Sequence, residues 1–244
     1  MWYDEKGSGE PLLMLHPGGV DSRAFEPNIP AFSEKFHVYL PERRGHGHTA
    51  DPEGEYSFDL LADDTIAFIE KVIEKPVRIL GYSDGSLVGL LVAKKRPDLV
   101  TKLICAAGVY HRDGWYEQAI APVSEAPEFM IAMYADVSPD GKEHLPIVVK
   151  KLNEMHAKNI MLTEEDLQTI NCQTLVIVSD DDEVKLEHAI SFYRALPHGE
   201  LAVIPGTSHG FIVEKIDLSN KIMLDFLTQD PIQTYAPIHR ARNK

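Results

Sequence analysis

The chain has 244 residues, 44% of them hydrophobic and 25% charged, a composition that excludes disorder and suits one large α/β domain or a core domain carrying an insertion. Its formal charge is −14, from 24 basic and 38 acidic residues, with no Lys/Arg-rich block; nucleic acid is a poor partner and anionic substrates gain no long-range steering. No apolar stretch approaches the ~20 residues of a membrane span, and Met1-Trp2-Tyr3-Asp4-Glu5-Lys6 lacks the pattern of a signal peptide, so the expected location is cytoplasmic. Cys105 and Cys172 sit beside apolar runs and read as small buried hydrophobes in a reducing compartment.

Short apolar runs alternate with helical patterns along the chain. Leu12-Leu13-Met14-Leu15-His16 reads as a strand ending in the turn Pro17-Gly18-Gly19. His37-Val38-Tyr39-Leu40 is the next strand, and a glycine- and arginine-bearing loop follows it. Over residues 58–73, Leu61, Phe68 and Val72, flanked by Ile66, Ile69 and Ile73, recur at helical spacing and predict one broad buried face. The run Val77-Arg78-Ile79-Leu80 predicts a strand, and the apolar pattern from Leu87 predicts a helix that Arg96-Pro97 stops. Further strands are expected at 99–107, 174–179 and 201–204, with helices at 187–196 and 212–227. This alternation of continuous apolar strands with helices predicts a mostly parallel sheet covered on both faces.

Residues 111–168 break the rhythm: helical in pattern and without a good strand, they are expected to form a small cap inserted between two core strands. The predicted organisation is a core at 1–110 and 169–229, the cap at 111–168, and a tail at 230–244. The tail contains Pro231, Pro237, Arg240 and Arg242, and is expected to pack on the surface or be partly disordered.

Gly81-Tyr82-Ser83-Asp84-Gly85 is a G-x-S-x-G at the point where a strand turns into a helix. Such a turn forces the serine into a tight conformation, and the glycines avoid collisions between strand and helix. The hydroxyl is thereby presented at the top of the sheet, beside the free N–H groups of the helix start. A serine hydroxyl attacks well only when a base removes its proton, and an acceptor must hold that base in the right tautomer. Asp180-Asp181-Asp182, after one later strand, and His209, after another, are the candidates for acceptor and base. An oxyanion hole needs two N–H donors. Asp84 supplies one; Gly18 is the choice for the other, because Pro17 has no N–H, with Gly19 as fallback.

The Asp84 side chain reads two ways: as an acidic residue favourable in a first helical turn, or as a partner for a cationic substrate group such as an amine. Of the 11 histidines, His16 reads as structural, and so do His46 and His48, whose H-x-H pair lacks an acidic or thiol partner at metal-ligand spacing. His188 lies on a helix. His111, His144 and His156 lie in or near the cap, where one could touch substrate without the sequence saying which. Trp115, Tyr116, Phe129, Met130, Met133 and Tyr134 read either as cap packing or as an apolar pocket over Ser83, with Trp115 and Met133 as candidate substrate contacts.

These motifs together resemble the α/β-hydrolase fold family over the chain up to about Leu227. His16-Pro17-Gly18-Gly19 is similar to the family's oxyanion loop, Glu42-Arg43-Arg44-Gly45-His46-Gly47 to its Asp-x-Arg-Gly-His-Gly loop, and Ser179-Asp180-Asp181-Asp182 to its Gly-Asp-x-Asp acid motif. The resemblance singles out Asp182 as the acid and gives the family's chain order of Ser83, Asp182 and His209. The Tyr-Ser-Asp-Gly form resembles the biphenyl-hydrolase-like (valacyclovir hydrolase-like) esterase branch. Departures are Pro17 for glycine, Ser86 where a further glycine is common, Glu42 for aspartate, and an apparently absent first edge strand.

What the resemblance implies is a carboxylesterase-like serine hydrolase that cleaves a small ester or related acyl substrate through an acyl-enzyme, with no metal or organic cofactor. A serine at position 83 argues against the haloalkane dehalogenase and epoxide hydrolase branches, which place aspartate there. The same triad also serves carbon–carbon bond hydrolases, lactonases and cofactor-free perhydrolases. A hydrolase-like binding or receptor protein with little turnover is the alternative from a different class.

Overall fold

A computed structural model describes residues 1–238. Seven strands form one sheet: β1 (Tyr3–Gly7), β2 (Pro11–Leu15), β3 (His37–Pro41), β4 (Val77–Tyr82), β5 (Val100–Ala106), β6 (Gln173–Asp181) and β7 (Gly199–Ser208). Their spatial order is β1-β3-β2-β4-β5-β6-β7. Every neighbouring pair is parallel except β1 on β3, so the opening residues supply an antiparallel edge. No further strand lies outside β1 among the described residues. The helices are α1 (Ile29–Ser33), α2 (Phe58–Phe68), α3 (Asp84–Lys95), α4 (Glu128–Val137), α5 (Leu145–Lys158), α6 (Glu164–Leu167), α7 (Leu186–Ala195), α8 (Phe211–Glu214) and α9 (Ile216–Thr228).

Strands β2, β4, β5 and β6 bury both faces, as continuous apolar runs require, while the edge strands β1 and β7 do not. Leu13, Ile79, Leu103 and Val176 belong to one apolar cluster, with residues of α2 and α3. Leu12, Leu80, Ile104 and Ile177 belong to a second on the other face, with Phe211 and Met223. Strand alternation thus sends neighbouring residues to opposite cores.

The helix expected at 58–73 is α2 followed by a π-helical turn, Ile69–Ile73, closed by Glu74 in a left-handed conformation. The wider turn shifts the apolar stripe: Ile69 and Ile73 are buried, whereas Val72, expected on the buried face, is exposed. The helix expected at 212–227 is split at Lys215 into α8 and α9. Strand β7 runs past the expected stop at Ile204; it is the sheet edge, where Pro205 breaks no ladder between two neighbours. Residues between β5 and β6 form α4, α5, α6 and short 3-10 turns, and their strand-like pairing is confined to the isolated bridges His111–Met161 and Trp115–Val184. Residues 230–238 carry neither helix nor strand, and Arg240 and Arg242 of the expected tail lie outside the described residues. Among the described residues no helix is long and apolar enough to cross a membrane.

The sheet's carboxyl edge is where the chain is most constrained. Ser83, between β4 and α3, has φ 52° and ψ −121°, a region non-glycine residues rarely adopt. Its N–H donates to Ala106 O at 2.8 Å, which ties the turn to β5. A Cβ on Gly85 would lie 2.0 Å from Leu15 O, and one on Gly81 2.3 Å from Gly85 O. Backbone blocks both positions, so no rotamer change relieves the clash. Gly85→Ala is therefore expected to destabilise the fold by about 1–3 kcal/mol in chemical denaturation, against a change within about 0.5 kcal/mol for an exposed substitution such as Glu117→Ala.

Candidate active site

Loops after β4, β6 and β7 carry the expected catalytic side chains to one place. His209 Nε2 lies 3.1 Å from Ser83 Oγ and accepts its proton in a hydrogen bond. His209 Nδ1–H donates to Asp182 Oδ1 at 2.8 Å. Asp182 is fixed in turn: its other oxygen accepts the Ser179 N–H at 2.9 Å, and its side chain is fully buried. The neighbouring aspartates point elsewhere; Asp180 is exposed and accepts the Gly206 and Thr207 N–H groups. Main-chain ties hold the imidazole loop, with Tyr82 Oη donating to His209 O and Ser179 Oγ to Ser208 O.

Burial pulls the His209 pKa down, but the Asp182 hydrogen bond and charge, with Glu183 and Asp84 behind them, outweigh it and raise it above the usual imidazole value. Such a base accepts a proton readily, and the carboxylate stabilises the imidazolium that results.

The Pro17-Gly18-Gly19 loop, expected to supply an oxyanion donor, is fixed from behind. The Arg43 backbone N–H donates to His16 Nε2 at 3.1 Å, so the neutral ring carries its proton on Nδ1, which donates to Pro17 O at 2.7 Å. Arg43 Nη2 donates to the same carbonyl at 2.8 Å. Burial first, then the charges of Arg43 and His46, hold the His16 pKa well below its ordinary range, in keeping with a neutral ring. Because the peptide unit is planar and trans, anchoring Pro17 C=O aims the Gly18 N–H the opposite way. Gly19 N–H instead donates to His46 Nε2 at 3.2 Å, which leaves Gly18 and not the fallback as the available donor. Gly18 also admits the neighbouring carboxylate, since a Cβ there would lie 2.2 Å from Asp84 Oδ2.

Asp84 is buried, and the group facing its carboxylate is the chain's own His156, from α5. His156 Nε2 donates to both carboxylate oxygens, at 3.0 and 2.9 Å. Burial alone would raise the Asp84 pKa; His156, then Arg43 and His46, reverse this and hold it at about 2. Arg43 is itself fully buried, with Nε and Nη1 lacking a protein acceptor, so Asp84 is its nearby counter-charge.

Ser83, Asp84, Gly18, His209 and His156 line one cavity of about 560 Å³, and Trp115, Phe129 and Met133 also face it. Trp115 meets the His209 ring edge-on, centroids 6.1 Å apart. The other aromatic and methionine candidates divide: Tyr134 is buried in the packing of α4, Tyr116 is exposed, and Met130 lies against Gly19. Three further histidines have local partners. His188 accepts the Tyr110 N–H and stacks on that ring, His144 pairs with Asp51, and His48 stacks on Trp2.

Sequence reasoning did not single out His156 or Arg43. A signal for His156 was present: it falls four residues after Leu152 and seven after Val149, on the buried stripe of α5.

Removing the acceptor provides a direct test of these electrostatics. In Asp182→Asn the His209 imidazole should titrate at lower pH than in the native protein, because the carboxylate that favours the imidazolium is gone; histidine-selective NMR would detect the shift.

Comparison with known proteins places these features in context. A family model described as "Alpha/beta hydrolase family" matches residues 12–215. The (E)-2-((N-methylformamido)methylene)succinate hydrolase of Acinetobacter baylyi is 25% identical over 94% of this chain and 94% of its own. The human protein named serine hydrolase BPHL is 25% identical over 92% of this chain and 82% of its own. Among solved structures, a meta-cleavage product hydrolase from Pseudomonas fluorescens superposes with a TM-score of 0.76 at 21% identity, covering 92% of this chain and 93% of that one. An enol-lactonase from Burkholderia xenovorans gives 0.73 at 20%, over 93% and 96%. At these identities the structures speak for the fold.

Proposed function

Because the chain belongs to the alpha/beta hydrolase family and is an enzyme of that type, we propose that it is a serine hydrolase cleaving a small ester or related acyl substrate. The observation that carries this reading is the unbroken hydrogen-bonded series from Ser83 Oγ through His209 to Asp182 at the mouth of a largely apolar cavity.

In this reading Ser83 Oγ attacks the substrate carbonyl while His209 Nε2 takes its proton. The developing oxyanion lies between the N–H groups of Gly18 and Asp84, neither of which has another acceptor among the described residues. Each such donor contributes about 3 kcal/mol to transition-state stabilisation. Asp182 keeps the imidazole oriented and stabilises its charged form. His209 then gives the proton to the leaving group, the Ser83 ester forms, and a water activated by the same imidazole releases the acid. Every proton the cycle moves is handled at His209. We further propose that residues 111–168 act as the cap that shapes the acyl site, since Trp115, Phe129, Met133 and His156 come from it.

The relatives' names support hydrolysis at a carbonyl. One names a formamido-substituted succinate as its substrate, and the other a serine hydrolase.

The proposal is tested at Ser83, in the pH profile and at Asp182. Ser83 should be labelled by a fluorophosphonate probe, and Ser83→Ala should abolish both labelling and hydrolysis of short p-nitrophenyl esters; labelled or active Ser83→Ala protein overturns it. The pH profile follows from His209. Its neutral form is the base and its pKa is raised above the ordinary imidazole value, so kcat/KM should fall as pH drops, with the half-point above that of an unperturbed imidazole. Asp182→Asn should lower kcat by on the order of 10⁴.

A further inference from the structure

We propose that His156 is a specificity-determining residue: seated on Asp84 in the cavity wall, its imidazole sets the acyl pocket to receive a substrate carboxylate and to exclude a cation. This rests on the serine-hydrolase reading and goes beyond it by naming the charge class of the substrate.

Both Asp84 oxygens lie within hydrogen-bond distance of one His156 nitrogen, and the carboxylate side chain is only 7% exposed. An incoming ammonium would have to displace that nitrogen from a buried carboxylate, at the cost of leaving a desolvated imidazole unpaired. The cationic substrate group that sequence alone allows at Asp84 is therefore pre-empted by the protein. The other nitrogen, Nδ1, has no protein partner among the described residues, and the side chain is 28% exposed and lines the same cavity as Ser83. Phe58 lies against the ring at 6.2 Å with an interplanar angle of 29°, which fixes its plane.

Charge balance points the same way. Buried Arg43 and Asp84 offset each other, so a protonated His156 leaves positive charge in excess on this wall. Burial disfavours that protonation and Arg43 opposes it, but Asp84 outweighs both and raises the His156 pKa. An imidazolium held this way presents Nδ1–H as a charge-assisted donor, for which a carboxylate is the best acceptor. Among the described residues, the one acidic side chain besides Asp84 that lines the cavity, Glu183, is 51% exposed and stands by His209, where solvent screens it. Apolar Ile120, Phe129 and Met133 supply the surface for a short chain between ester and carboxylate.

The test uses three p-nitrophenyl esters of similar length that differ in end group: the hemisuccinate (anionic), the butyrate (neutral) and the β-alaninate (cationic). Ratios of kcat/KM among them cancel any loss of activity common to all. At mildly acidic pH, which favours the imidazolium, the native enzyme should favour the hemisuccinate over the butyrate and disfavour the β-alaninate. His156→Ala bares Asp84 and should reverse the order of the two charged esters, changing their ratio by about tenfold or more. His156→Gln, which keeps a donor to Asp84 without the charge, should lose the anionic preference and gain less for the cation. A native preference for the β-alaninate, or ratios unchanged in both variants, overturns the proposal. Calorimetric binding of monomethyl succinate and methyl β-alaninate to Ser83→Ala, with and without His156→Ala, gives the same comparison without turnover. If no ester is cleaved, the hydrolase reading fails, and binding still decides the role of His156: retained carboxylate affinity without His156 sinks it.

Discussion

The backbone of Ser83 is the constraint on which the molecule turns. Its φ of 52° places a serine where non-glycine residues cost about 1–3 kcal/mol. The strain persists because its surroundings leave no alternative. Gly81 and Gly85 bring strand and helix into contact that no side chain would permit, and β5 holds the serine N–H. With the hydroxyl fixed above the carboxyl edge of the sheet, the partners must come from loops at that same edge. Strands β6 and β7, on the far side of β5, deliver Asp182 and His209 there, and β2 delivers the Pro17-Gly18-Gly19 loop from the near side.

Around that serine the histidines show how environment decides chemistry. His209 and His156 each face a carboxylate, and each has its pKa raised against the pull of burial. His46 is buried and His188 half-buried, neither hydrogen-bonded to a carboxylate; burial, and then neighbouring positive charge, pushes both down to about 4. His16 is likewise held neutral, which lets one ring accept from the Arg43 backbone and donate to Pro17. The result is a pair of neutral imidazoles, His16 and His46, beside Arg43 behind the Pro17-Gly18-Gly19 loop, with two carboxylate-paired imidazoles lining the cavity. Both carboxylate partners, Asp182 and Asp84, are almost completely shielded from solvent, where their charge acts most strongly.

The strands and the serine turn were legible because they rest on local rules. Continuous apolar runs announce buried parallel strands, and G-x-S-x-G between strand and helix announces a strained turn. Expectation for Asp182 over its neighbours came from motif resemblance, and its physical counterpart is the Ser179 N–H that orients the carboxylate. What was not legible depends on distant packing. Val72 sits at the right spacing for burial, yet the π turn at Ile69–Ile73 rotates it outward. The choice between Gly18 and Gly19 required knowing that His46 takes the Gly19 N–H from 27 positions away. His156 was one of several histidines in or near the cap, and only the docking of α5 brings it onto Asp84, 72 positions distant. Its place on the buried stripe of α5 was visible in the spacing, but its partner was not.

The central claim is that the Ser83 oxygen becomes a covalent nucleophile. Rapid acid quenching during turnover of a p-nitrophenyl ester, followed by peptide mass analysis, reads this directly. The account predicts an added acyl mass confined to the peptide bearing Ser83, accumulating before steady-state acid release and absent after substrate is exhausted. Turnover with the acyl mass on another residue, or with no covalent species even when deacylation is slowed, would contradict it.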